Sequence, residues 1–145
     1  MSLPKVAELE FRTEDVAAPA AASVVHSTLA WDFTAGDFVL KDGKTIVLQE
    51  VGYLQVWIQK ALRTIRDSLI YARTGYGSEH HSLIGKNFKS SFSDSEYERM
   101  IREALLQNEA ITRVDNFAFS QSGSRLDITF DVQSIYGTTQ GTVAL

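Results

Sequence analysis

The chain contains no cysteine, which removes disulfides, thiol nucleophiles and cysteine-ligated zinc from its chemistry and accords with folding in a reducing compartment. No apolar run approaches the roughly 20 residues that cross a bilayer, and the first residues carry no basic-then-apolar export pattern. An excess of positive charge is also lacking. The 14 Lys and Arg stand against 18 Asp and Glu, for a formal net charge of −4, so no overall field draws the chain to nucleic acid or to an anionic membrane. Nor is there a phosphate-cradling glycine loop, because Gly75 and Gly77 have neither a further glycine nor a preceding strand. What is present is 145 residues, 44% apolar and 22% charged, the composition of one ordinary globular domain long enough to bury a core.

The strongest periodic signal runs from Glu50 to Tyr76. At about 100° per residue, Val51, Leu54, Trp57, Ile58, Ala61, Leu62, Ile65 and Leu69 share one arc, predicting an amphipathic helix with Lys60, Arg63, Arg66 and Asp67 outward. Val56 and Ile70 join Arg63 on the outward face, either as single exposed hydrophobes or as a partner-binding stripe. Gly75 and Gly77 end the pattern. A second helix is announced by Ser93 and Glu96 as a capping box and by Phe92 and Tyr97 as a hydrophobic staple. Its buried face is Tyr97, Met100, Ile101, Ala104 and Leu105, with Glu98, Arg99, Arg102 and Glu103 outward, and it closes at Leu106 and Asn108.

Strands are expected at Thr28 to Phe33, Asp37 to Leu40 and Thr45 to Leu48, the last two joined through the turn signal Asp42-Gly43. Further strands are expected at Ile111 to Phe119 and, after Gln121 to Ser124, at the alternating Leu126, Ile128, Phe130 and Val132. Gly137 interrupts, and Thr138 to Leu145 reads as one more strand. The fold class is therefore α+β, two amphipathic helices packed on a small antiparallel sheet with N-terminal and C-terminal hairpins. Three parts follow: an arm at 1–24, a domain at 25–137 and a strand-like tail at 138–145. The arm combines Glu8, Glu10, Glu14 and Asp15 with an alanine run broken by Pro19. So few large apolar residues leave its ordering entropy uncompensated, giving a flexible tail or an arm that orders on a neighbouring subunit.

Chemistry is sparse. Glu79-His80-His81 is a ligand-like cluster, but adjacent histidines lack the i, i+4 spacing of a shared metal site and a third ligand is missing. His26 reads as an ordinary side chain. Glu109 and Asp115 are a conceivable carboxylate pair for glycoside cleavage, whose chemistry depends on a separation that sequence does not supply. The basic residues Lys60, Arg63, Arg66 and Arg73 form a solvated face or meet an acidic partner. On the residues alone the chain is an interaction module.

The order of its pieces carries a resemblance. Trp31-Asp32-Phe33 with Gly36-Asp37-Phe38, Gly43-Lys44, Gly52, the segment Trp57 to Thr64 running to Arg66, Ile70-Tyr71 and Tyr76-Gly77 are followed by Leu83 to Lys86. Then come Glu96 with Arg99 and Ile101, Glu103 to Leu106, Phe117 and Tyr136-Gly137. Over about residues 28 to 137 this resembles the baseplate wedge and sheath-initiator proteins of contractile phage tails, and more narrowly the XkdS-type protein of PBSX-like defective prophages of Gram-positive bacteria. The broader family, sometimes labelled lysozyme-like, carries a Glu-Pro-Arg motif after the second helix. Here Glu109-Ala110-Ile111-Thr112-Arg113 keeps a Glu and an Arg without the proline, so no role transfers directly to Glu109.

The resemblance implies a structural protein without enzymatic activity or cofactor, assembled in the host bacterial cytoplasm and then resident in the tail baseplate. Its implied partners are other wedge proteins, the tail sheath and the tail tube, with no nucleic acid, membrane or small-molecule substrate. Relatives join the sheath by strands added across subunits, placed here at Tyr136 to Leu145 together with the strand from Arg125 to Ser134. Candidate partner-binding residues are Val56, Arg63, Ile70, Arg66, Tyr76, Glu109, Arg113, Tyr136, Thr138, Thr142 and Val143. Removal of Gly137 to Leu145 is expected to leave a folded domain that no longer nucleates sheath. The rival readings are a peptidoglycan hydrolase using Glu109 and Asp115, and a host regulatory adaptor of the same fold.

Overall fold

In the computed structural model, which describes residues 26–85 and 90–145, the alternating run Leu126, Ile128, Phe130 and Val132 becomes the middle strand of a three-stranded antiparallel sheet. That strand, β8 (Arg125–Ser134), lies between β7 (Ile111–Ser122) and β9 (Gly137–Ala144). Period-two alternation sends Ile128, Phe130 and Val132 to one face, where all three are fully buried. Two helices cover that face, α1 (Glu50–Arg63) and α2 (Ser90–Leu105). The core joins Leu54, Ile58 and Leu62 of α1 and Met100, Ile101 and Leu105 of α2 to the sheet. The predicted buried face of α2 is present as read.

The segment before α1 folds back on itself in nested pairs. β1 (Ser27–Leu29) pairs with β6 (Val47–Gln49), β2 (Trp31–Asp32) with β3 (Asp37–Phe38), and β4 (Leu40–Lys41) with β5 (Lys44–Thr45). The strand expected at Thr28 to Phe33 is divided at Ala30, whose N–H donates to the Ile46 carbonyl at 2.8 Å while its own carbonyl accepts from the Val39 N–H at 3.0 Å. One residue thus serves two different hairpins. Asp42 and Gly43 both take positive φ, 52° and 75°, the backbone of the tight hairpin turn that the Asp-Gly signal predicts.

Three expectations are corrected. First, α1 stops at Arg63 instead of continuing to Tyr76. Thr64 is extended (φ −94°, ψ 129°) and its Oγ1 donates to the Lys60 carbonyl at 2.8 Å. Beyond it the backbone bonds to a distant segment, Ser78 N–H to Thr64 O at 2.9 Å and Arg66 N–H to Ser78 O at 3.3 Å, forming a parallel bridge between Ile65 and Ser78. Ile65, Leu69 and Ile70, placed on a helix by periodicity, are instead 60%, 99% and 86% exposed. Second, the outward stripe of Val56, Arg63 and Ile70 does not exist. Ile70 is off the helix, and Val56 is buried. The reason is local. Val56, Lys60 and Arg63 share a face at i, i+4 and i+7, and the Lys60 ammonium stands 5.4 Å over the Trp31 ring while the Arg63 guanidinium stands 4.5 Å over Phe33. Trp31 of β2 and Phe33 in the turn after it thus lie against the side chains of this face, which is not the bare solvent-facing side of a two-layer helix. Third, α2 begins at Ser90, so Ser93 lies inside its first turn and not at its cap. No Gly or Pro separates the two positions, and the helix propagates back through them. The arm at 1–24 lies outside the described residues.

The described part of the loop after α1 is fixed by buried polar groups. The Arg66 side chain, 11% exposed, bonds to Glu79 at 3.1 Å and lies 3.9 Å from Glu103 of α2, while its Nε donates to the Gly77 carbonyl at 3.4 Å. Ser78 and His80 are buried together, Oγ and Nδ1 2.6 Å apart. His80 opens a short 3₁₀ turn, His80–Leu83, and its ring stacks beside His81 with centroids 4.0 Å apart. Burial first, and the neighbouring His81 second, lower the His80 pKa from 6.5 to about 4.

The last strand is part of the core. Val143 belongs to the main apolar cluster, and Gly141 lies against the Phe130 ring so closely that a Cβ there would sit 2.3 Å from Phe130 Cε2. Loss of Gly137 to Leu145 would uncover Phe130, so the expectation that the truncation stays folded is withdrawn. Two outcomes follow. Gly141→Ala is expected to lower unfolding free energy by about 1–3 kcal/mol, the scale of overpacking a tight core, measured by urea denaturation; an unchanged midpoint would contradict the contact. Neutral His80 contributes stability that is complete above pH 6.5 and is lost as pH falls toward about 4, because the unfolded chain takes up a proton that the folded one refuses. Across that window the wild-type melting temperature should fall more than that of His80→Asn, and parallel profiles would refute the assignment.

Candidate assembly interface

The sheet has two edges, and they differ. Leu126 and Leu145 exchange both backbone hydrogen bonds, at 2.9 and 2.8 Å. In an antiparallel ladder bonded pairs alternate with non-bonded ones, so the register Ile128↔Val143, Phe130↔Gly141 and Val132↔Thr139 marks the other bonded pairs. The N–H and C=O groups of Thr138, Gln140, Thr142 and Ala144 consequently point away from β8, and all four residues are exposed. Among the described residues no strand pairs with this edge. The β7 edge is interrupted by two register shifts, between Ile111 and Arg113 and between Asp115 and Ala118. At the second, Asn116 takes φ 54° and its Nδ2 donates to Asp131 Oδ2 at 2.9 Å.

A groove of about 270 Å³ separates α1 from the end of β9, lined by Gln59, Leu62, Arg63, His80, His81 and the segment from Thr142 to Leu145. Gln55 Nε2 donates to Thr139 Oγ1 at 3.2 Å and Gln59 Nε2 to the Thr142 carbonyl at 3.3 Å, so two glutamines four apart on α1 hold β9 against the helix. Arg63 Nη1 donates to the Phe33 carbonyl at 3.4 Å, and His81 Nε2 lies 3.1 Å from the Leu62 carbonyl.

The structure brings some of the sequence-selected residues together and scatters others. Arg63, Thr142 and Val143 meet at the groove, and Thr138 continues the same edge. Val143 points inward and is buried, as is Val56. Tyr76 and Glu109 line a separate cleft; burial and the adjacent Tyr71 raise the Tyr76 hydroxyl above its ordinary pKa. Arg66 is committed to its intramolecular ion pairs. Arg113 pairs with Asp115 on β7, and the Tyr136 hydroxyl accepts from the His26 N–H at 3.4 Å. Ile70 stands alone in the loop after α1. Glu109 and Asp115, the supposed carboxylate pair, do not share a cleft: Glu109 is in the turn after α2 and Asp115 lies opposite Asp131 in the sheet. The strand segment Arg125 to Ser134, named with the C-terminus for strand addition, is central, with both edges filled by β7 and β9. Sequence reading missed Gln55 and Gln59, whose i, i+4 spacing on the helix was the available signal.

Among the described residues no helix is long and apolar enough to cross a membrane, and no three His, Asp or Glu side chains are placed to hold a metal. A search of the curated proteins finds none that matches the chain. A family model, contractile injection system sheath initiator, matches residues 27–137, from the first residue of β1 to the first of β9. On that match, over the nested hairpins, both helices and the two-strand base of the sheet, the chain belongs to the sheath-initiator family of contractile injection systems.

Proposed function

We propose that this chain is a non-enzymatic wedge component of a phage-type baseplate, of the kind carried by PBSX-like prophages, and that it starts sheath assembly by offering the outer edge of β9 to a strand of the first sheath ring. Assembly takes place in the host cytoplasm, and wedge proteins and the tail tube are its other neighbours. Family membership supports the structural role.

The observation that carries the strand-addition reading is how the two sheet edges are defended. Soluble proteins blunt exposed edges with charges, proline or bulges. The β7 edge has two register shifts and the Arg113 and Asp115 pair. β9, Gly137–Ala144, has neither a charged residue nor a proline, and its pairing with β8 is regular throughout. Apart from the Thr142 carbonyl, which accepts from Gln59 Nε2, this edge carries no such defence and is suited to β-augmentation, in which backbone hydrogen bonds supply affinity.

Because the truncation would disturb the core, a single outward-facing backbone group is the better probe. Gln140→Pro removes an N–H that points away from β8, a position where an edge strand tolerates proline. The variant is expected to keep the wild-type circular dichroism spectrum and melting temperature, yet to yield tails without sheath when expressed with the neighbouring tail proteins and viewed by electron microscopy. Normal sheathed tails containing the variant would remove β9 as the junction.

A further inference from the structure

A second cleft, of about 290 Å³, shares no lining residue with the β9 groove. Its walls are aromatic. His26 stacks on Tyr53 with centroids 5.3 Å apart and planes within 19°, and Tyr76 meets Trp57 edge-on at 5.8 Å. All four rings are only partly buried, so each keeps surface toward the opening. The buried Asn108 fixes one side, donating from Nδ2 to the Tyr53 hydroxyl at 3.1 Å and accepting from the Ala110 N–H at Oδ1 at 2.9 Å. Those two bonds lock the turn that carries Glu109, whose exposed carboxylate also lines the cleft.

Electrostatics then selects the occupant. The lining includes one carboxylate and no Lys or Arg, and none of the described basic residues pairs with Glu109. Aromatic faces carry negative quadrupole charge and attract cations, more strongly where water is partly excluded. A guanidinium satisfies both parts of such a site, since it stacks flat on rings and bonds a carboxylate through its fork of donors. We infer that the cleft between Trp57, Tyr76, Tyr53 and Glu109 receives an arginine side chain presented by a partner subunit. The partner half of this inference rests on the assembly reading; the chemistry of the cleft does not.

The test is an NMR titration of the full-length ¹⁵N-labelled protein with N-acetyl-arginine methylamide, following the indole N–H resonances of Trp57 and Trp31, assigned with Trp57→Phe. Expected is a saturable shift of Trp57 but not of Trp31, with the uncharged citrulline analogue weaker and with Glu109→Gln weakening the arginine compound about fivefold, the scale of one exposed ion pair. Equal responses to arginine and citrulline, indifference to Glu109→Gln, or a silent Trp57 would overturn the site. If binding emerges only when Lys5 and Arg12 are both changed to Gln, the cation comes from this chain and the partner half falls. In co-expressed tails, Glu109→Gln should be lost from the purified baseplate, and normal incorporation would also overturn the partner half. The titration uses no tail protein and Gln140→Pro leaves the cleft untouched, so this inference and the sheath reading fail independently.

Discussion

Phe130 has to be covered on every side, and most of the architecture is the means of covering it. It occupies the middle of the middle strand, fully buried, with Phe117 of β7 tilted against it at 5.4 Å and the bare backbone of Gly141 pressed on its ring from β9. Burying a ring of this size is among the largest single apolar contributions that a small core has. It requires a glycine in a strand where glycine otherwise weakens pairing. The helices then close the layer above, with Leu54 and Ile58 from one and Ile101 and Leu105 from the other.

Around that layer the chain uses polar side chains as fasteners. Gln55 and Gln59 tie α1 to β9, Arg66 ties the long loop to Glu79 and approaches α2 at Glu103, and Asn108 ties the turn after α2 to Tyr53. Each reaches across a large sequence separation, so each makes the position of a surface element depend on the core. The partly exposed ion pairs of α2, Arg99 with Glu96 and Glu103 and Arg102 with Glu98, do little beyond supporting that helix, since exposed pairs of this spacing contribute only tenths of a kcal/mol.

What was legible in the sequence was whatever depended on periodicity alone. The inward alternation of β8, the apolar face of α2 and the Asp42-Gly43 turn are local signals, and the structure follows them. The second half of the predicted first helix failed because its fate is decided by Ser78, whose backbone captures Thr64 and Arg66. No window of sequence around Leu69 contains that information. Val56 failed for a similar reason, since its face of α1 meets Trp31 and Phe33, residues distant in sequence, through Lys60 and Arg63. The sequence placed Thr138 and Thr142 in a terminal strand, and the structure puts both on the outer side of β9, whereas the meeting of Tyr76 and Glu109 in one cleft was not legible because two separate turns build it.

The register of β9 has a mechanical consequence. β9 lies alongside β8 over its whole length, from Gly137 opposite Ser134 to Ala144 opposite Asp127. A load applied to β9 along its axis therefore acts on the ladder in shear, stretching all its cross-strand bonds together, whereas a load at right angles would peel them one pair at a time. A neighbour attached to the outer edge and pulled lengthwise meets the stiffer of the two responses. β9 is thus stiffer along its length than across it, whatever is attached to its outer edge.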